Sequence, residues 1–229
     1  MTFGRVLSLL AFLSASPTAA CQLALSLALD VSSSVDEREF RLQADGLANA
    51  LNSPEVAGAI LSYSGDPIAL HVYQWSGQRN QLTVLDWTFL RTPQDLAAAI
   101  QTLRDMPRST ARFPTALGNS LGFGAIALRD APQCARKTLD ISGDGRNNHG
   151  FGPAAAYRYF PFANVTVNGL AIGGEDGGIL DYYRREVISG PGAFVEFARD
   201  FDDFERAMRR KLLREIGEMS LSLNTGPSN

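Results

Sequence analysis

Residues 22–34 read Gln-Leu-Ala-Leu-Ser-Leu-Ala-Leu-Asp-Val-Ser-Ser-Ser. The run from Gln22 to Leu29 is almost continuously apolar, without strict alternation. It reads as a buried strand, and strands covered on both faces belong to parallel sheets flanked by helices. The run stops at Asp30, which opens an Asp-x-Ser-x-Ser sequence. From Val35 to Leu51 the apolar positions Phe40, Ala44, Leu47 and Leu51 fall on one helical face. Ser34 followed by Glu37 has capping-box spacing for that helix. A strand that ends in a carboxylate and hydroxyls and then feeds a helix reads as the start of an open α/β sheet.

The rest of the chain continues the pattern. Ile68–Trp75 and Leu82–Trp87 read as two strands joined around Gly77–Asn80, a hairpin. Pro93–Met106 reads as a helix with proline in its first turn, and Ala116–Arg129 as another. Lys137–Ser142 is a strand ending at Gly143-Asp144-Gly145. Pro153–Phe160 reads as helix, and Val165–Ile172 as a strand followed by the glycine-rich 173–178. Leu180–Ile188 reads as helix and Ala193–Ala198 as a short strand. Asp202–Ile216 is amphipathic, with Phe204, Met208 and Leu212 in register. Strands alternating with helices predict a doubly wound, mostly parallel sheet flanked by helices, with one antiparallel hairpin strand. There is no internal repeat and no linker, so one domain is expected over 21–218, with a polar tail over 219–229.

Of 229 residues, 45% are hydrophobic and 20% charged, enough to bury the core of one large α/β domain. The formal net charge of −3, with no basic stripe, argues against a nucleic-acid partner. Residues 1–20 read as a secretory signal peptide: Arg5, an apolar stretch over Val6–Leu13, and small residues over Ser14–Ala20 with Thr18 and Ala20 at −3 and −1 of a cleavage site. The mature protein is therefore expected to be exported, periplasmic or secreted. The apolar stretch is about half the roughly 20 residues a membrane span needs, and no span is expected elsewhere. Cys21 and Cys134 are the two cysteines, and an even count in an exported chain points to a disulfide. The rival reading is lipidation of Cys21 as the first mature residue, against which stands Thr18 at −3.

Ligands in open α/β sheets bind beyond the carboxyl ends of the strands. Asp30, Ser32 and Ser34 follow the first strand. Asp144 follows the strand at 137–142, and Thr115 lies just before a helix. These two carboxylates and three hydroxyls are hard oxygen donors, which suit Mg²⁺, with Mn²⁺ or Ca²⁺ as the other divalent choices. Neutral hydroxyls leave the cation much of its charge, so it would attract a carboxylate from a partner. Taken alone, Ser32 and Ser34 read equally well as helix caps.

Together these residues resemble the metal-ion-dependent adhesion site of von Willebrand factor A domains. The resemblance implies that Ser32, Ser34 and Thr115 are hydroxyl ligands and that Asp30 and Asp144 bind the metal directly or through water. It spans nearly all of the mature chain in motif order and element order. The chain is most similar to an exported bacterial A-type family of unknown function, through LALDVSSSVD at 27–36 and DISGDGRNN at 140–148. One departure is Phe113-Pro114-Thr115, where many A domains carry a glycine pair or glycine before the threonine; Thr110 is the alternative third ligand. The A-domain strand order also makes the first strand and the strand at 137–142 parallel neighbours. Cys21 lies nine residues before Asp30 and Cys134 ten before Asp144, so the resemblance brings both cysteines to the opposite edge of the sheet, within disulfide reach.

Competing readings are a metal-dependent hydrolase and a structural domain with a vestigial site. For a serine triad the chain offers only His71, within a strand, and His149, and it has no Gly-x-Ser-x-Gly elbow. An aspartyl phosphotransferase resembling the haloacid dehalogenases would carry aspartate at position 32, where this chain has serine. Glu175 and Asp176 either tune the site's charge or belong to a solvated turn. Trp75 and Trp87 read as core or hairpin packing. Asn164-Val165-Thr166 is a sequon that arises readily by chance.

Overall fold

The computed structural model describes residues 21–62, 65–110, 112–174 and 177–223, with side chains through 217. The expected signal peptide, the pair Glu175 and Asp176, and residues 224–229 lie outside the described residues. β1 (Cys21–Asp30) is central in a six-stranded sheet of order β3-β2-β1-β4-β5-β6. β2 (Ile68–Trp75) and β4 (Cys134–Gly143) pair with it, both parallel. β3 (Gln81–Leu90) closes one edge as the antiparallel hairpin strand, turning at Ser76–Asn80, while β5 (Val165–Ile172) and β6 (Val195–Ala198) extend the other.

β1 shows why the sheet has two covered faces. Leu23, Leu25, Leu27 and Leu29 belong to the core beneath α1 (Glu37–Asn52), α2 (Pro54–Leu61), α3 (Pro93–Asp105) and α7 (Phe204–Leu223). Ala24 and Ala28 belong to the opposite core, where their small size leaves room for Tyr73 and Trp75, both fully buried, beneath α4 (Leu117–Arg129), α5 (Pro153–Tyr159) and α6 (Ile179–Tyr182). Each leucine removed from water in this way contributes about 1.5–3 kcal/mol, which drives the layering. At the floor of the sheet Cys21 pairs with Cys134 across β1 and β4, with Cα atoms 4.4 Å apart, and the two form a disulfide.

Several elements differ from the sequence expectation. The capping box of α1 uses Asp36 and Glu39, not Ser34 and Glu37. The shift by two residues leaves Ser34 outside the helix. α2 was not foreseen: it is only eight residues, mostly small and apolar, and is started by Ser53 as cap and Pro54 at its first position. The expected helix over 180–188 is the short α6 followed by a wider π-type turn over Tyr183–Val187. α7 runs to Leu223, so the expected tail boundary at 219 falls inside a helix.

A buried polar cluster fixes α7 to the sheet. Lys211 is fully buried, with its Nζ 3.0 Å from Asp140 Oδ1 on β4 and 2.6 Å from Glu215 Oε1. Asn168 on β5 donates to the same Glu215 oxygen at 2.8 Å. Among the described residues no helix is long and apolar enough to cross a membrane.

Candidate metal centre

Because β1 and β4 are parallel neighbours with Leu29 opposite Ser142, their carboxyl ends open side by side. Asp30 is fully buried, and its Oδ1 accepts the Ser32 amide at 2.8 Å. That short turn folds the loop back so that its hydroxyls face β4. Ser34 Oγ donates to Asp144 Oδ1 at 2.9 Å and lies 3.2 Å from Ser32 Oγ. Thr115 Oγ1 reaches Ser32 Oγ at 3.3 Å. All five side chains expected to form the site thus meet at one edge of the sheet, with Thr115 the threonine whose hydroxyl reaches Ser32. Asp30 and Thr115 are not bonded to each other directly; Ser32 links them.

The loops are held by groups the sequence reading did not single out. Asn148 Oδ1 accepts the Thr115 amide at 2.9 Å, while the Thr115 carbonyl accepts the amides of Asn148 and His149 at 3.0 and 3.2 Å. Asn147 Oδ1 accepts the Gly118 amide at 3.1 Å. The asparagine pair after Asp144 therefore sutures the Thr115 loop to the β4 loop; the signal was present in the quoted DISGDGRNN. Gln43 on α1 donates to the Asp30 carbonyl at 2.9 Å. Glycine at 143 leaves room for the site, since a Cβ there would stand 2.7 Å from Asp30 Oδ2 and 2.8 Å from the Tyr183 hydroxyl and would push those side chains aside.

The electrostatics are those of carboxylates short of a counter-charge. Burial, reinforced by the neighbouring Asp144 charge, pushes the Asp30 carboxyl up to about 8. Burial also raises Asp144. Tyr183 is held well above the usual phenol range by burial and then by the two carboxylates. Asp30 Oδ2 is buried and has no hydrogen-bond partner among the described residues. A buried acceptor left unpaired costs about 1–3 kcal/mol, more when charged, so an orphan oxygen facing a glycine is a place where a cation fits. The donor set agrees with a hard cation. Among the described residues no group of three or more histidine, cysteine or acidic side chains forms a metal cluster. A metal here would therefore rely on the hydroxyls. A cleft of about 450 Å³ opens beside Ser34 and Asp144, with Arg38, Glu39 and Asp202 on its walls.

The two histidines sit in different settings, and the His149 ring lies 3.3 Å, at Nε2, from Gln78 Nε2. His71 is buried on β2, 2.8 Å from Ser26 Oγ and stacked on Trp87 at 5.0 Å between centroids. Burial lowers it to about 4, so it is neutral and structural. His149 contributes its amide to the Thr115 loop.

This strand order, with helices on both faces of a mostly parallel sheet, is the fold of von Willebrand factor A domains. Proximal thread matrix protein 1 from the mussel byssus, with a zinc-occupied MIDAS motif, superposes with a TM-score of 0.65 at 16% identity, over 88% of this chain and 48% of that one. The von Willebrand factor type A protein from Catenulispora acidiphila gives 0.61 at 19% identity, over 87% and 44%. The pilus adhesin SpaC from Lactobacillus rhamnosus GG, in an open conformation, gives 0.59 at 14%, over 88% and 30%. The chain thus spans about half the length of the mussel protein, and at these identities the likeness shows the fold. No curated protein matches the sequence. The chain belongs to the family described as Protein of unknown function (DUF1194), whose model matches residues 20–220.

Proposed function

We propose that this protein is an exported binding module. It holds one divalent cation, Mg²⁺ or the similar Mn²⁺ or Ca²⁺, through Asp30, Ser32, Ser34, Thr115 and Asp144, and through that cation it binds an acidic side chain of a partner protein. The observation that carries the reading is the buried, unpartnered Asp30 Oδ2 beside side-chain oxygens spaced 2.9–3.3 Å apart. Neighbouring ligands in an octahedral Mg²⁺ shell, at about 2.0–2.1 Å from the ion, lie about 2.9 Å apart, whereas Ca²⁺ at about 2.3–2.6 Å spreads them to roughly 3.3–3.7 Å. The observed spacing of 2.9–3.3 Å spans both values and so admits either ion. When bound, the cation supplies a positive charge only partly neutralised by the protein. Two carboxylates and three neutral hydroxyls would hold it, and a carboxylate from outside is a suitable further ligand.

Two further observations support the setting. A disulfide at the sheet floor fits an oxidising compartment, in line with the leader-like residues 1–20. Among proteins of the same fold, one carries a zinc-occupied MIDAS motif and another is a pilus adhesin. The test is capture of periplasmic proteins on immobilised protein in Mg²⁺ and in EDTA, with Asp144→Ala alongside. The proposal expects a partner retained in Mg²⁺, released by EDTA, absent from Asp144→Ala, and lost again when an acidic residue of that partner is neutralised. A partner retained equally in EDTA would place binding on another surface.

A further inference from the structure

The loop that supplies Asp30, Ser32 and Ser34 has little regular hydrogen bonding of its own. Within it the Ser32 carbonyl accepts the Val35 amide at 3.1 Å; otherwise its carbonyls are held from outside, and one side chain holds most of them. Arg108 Nη2 donates to the Ser32 carbonyl at 3.0 Å, lies 3.5 Å from the Val31 carbonyl, and also donates to the Val35 carbonyl. Arg108 comes from the segment between α3 and α4 that also carries Thr115. That segment bonds the loop a second time, where the Phe113 carbonyl accepts the Ser33 amide at 2.9 Å, and a third time, where Thr115 meets Ser32.

Arg108 is itself presented by a rigid element. Gln74 on β2 is fully buried, donates from Nε2 to the Pro107 carbonyl at 2.8 Å, and accepts the Ser109 amide at Oε1 at 2.7 Å. One amide side chain thus grips the backbone on both sides of Arg108 and aims the guanidinium into the turn. Fixing residues of an irregular loop costs about 1–2 kcal/mol each in backbone entropy. A planar guanidinium with several fixed donors meets that cost before any ligand arrives.

We propose that Arg108 is a positioning residue for the metal centre. Its guanidinium takes the place of absent backbone donors, keeps the 31–35 turn in its metal-receiving shape, and fixes the spacing between Ser32 and Thr115. The inference rests on the metal reading for its purpose, but its structural content is testable without metal. A rival role is electrostatic: a cation this close to Asp30 stabilises the empty carboxylates and opposes an incoming divalent ion. The two roles give opposite orders of affinity. Lysine at 108 keeps the charge but reaches fewer carbonyls, and methionine removes both charge and donors.

Amide hydrogen exchange of the metal-free protein, together with Mn²⁺ calorimetry, separates them in wild type, Arg108→Lys and Arg108→Met. Loss of the guanidinium should speed exchange at the Ser33 and Val35 amides about tenfold or more, the scale of a hydrogen bond to a charged group. The Leu25 and Leu27 amides on β1 should stay protected. Mn²⁺ should bind in the order wild type, then Lys, then Met, with the last at least about tenfold weaker. Unchanged exchange at Ser33 and Val35 would overturn the proposal. So would tighter binding in Arg108→Met, which would make Arg108 a charge alone. Loss of protection at Leu25 and Leu27 in both variants would make it a general folding residue and equally overturn it. A wild type that takes up no Mn²⁺ would defeat the metal reading, while the exchange result still decides whether Arg108 holds the turn.

Discussion

Breaking the Cys21–Cys134 bond isolates how much of the stability comes from the floor of the sheet. The bond closes a segment of 113 residues. In the chain-entropy treatment a loop of that length removes enough freedom from the unfolded chain to contribute about 4.8 kcal/mol at 25 °C, and residual structure in the unfolded state brings the usual yield to about 2–4 kcal/mol. For a domain of about 200 residues each kcal/mol moves the melting midpoint by roughly 2–4 °C, so reduction should lower it by about 5–15 °C. The assay is urea and thermal unfolding of oxidised wild type, reduced wild type and the Cys21→Ala, Cys134→Ala double variant. The urea slope should rise on reduction, because the opened chain exposes more surface when unfolded. Nine residues of strand separate Cys21 from Asp30, about 30 Å, so divalent-metal affinity should be the same in all three forms. A stability loss under about 1 kcal/mol would refute the loop-entropy account, and a large fall in metal affinity would refute the independence of the two ends.

Two more outcomes follow from the buried charges. Lys211→Met should destabilise the fold by about 3–5 kcal/mol in urea, because Asp140 and Glu215 are then buried without their cation; a loss below about 1 kcal/mol would show that the cluster does not hold α7. Asp203 is held well below the usual carboxylate range, first by the Arg206 guanidinium and then by the Arg199 amide. A depressed folded-state value means its stabilisation is complete above about pH 4 and is lost as pH falls below that. Asp203→Asn should therefore cost about 1–2 kcal/mol at pH 7, an amount reduced because Arg206 is 40% exposed, and should flatten the acid limb of stability against pH; an unchanged acid limb would count against it.

Much of the architecture was readable because strand burial leaves a compositional mark. All six strands sit where apolar runs predicted them, and Asp30 and Asp144 end adjacent strands as the motif order implied. What escaped the reading was local or long-range in particular ways. Ser34 and Glu37 have the spacing of a capping box, but Asp36 and Glu39 have it too, and the pair that wins is decided by where the Asp30 turn releases the chain. α2 has no helical period because Ala57, Gly58 and Ala59 carry little contrast. Lys211 and Glu215 drew no reading, and Asp140 was read only as part of its strand, since nothing in a strand or helix pattern announces that three charges will share one buried point. Arg108 and Gln74 were silent for the same reason: both act on backbone carbonyls and amides far away in sequence.

The account turns on whether the five oxygen side chains hold a cation. Calorimetric titration of Mg²⁺ and Mn²⁺ into the disulfide-bonded protein, beside the Asp30→Ala, Asp144→Ala double variant, tests it directly. One site per chain in the wild type and none in the variant is the predicted result. Equal affinity in the two, or no uptake of either ion by the wild type, would contradict it.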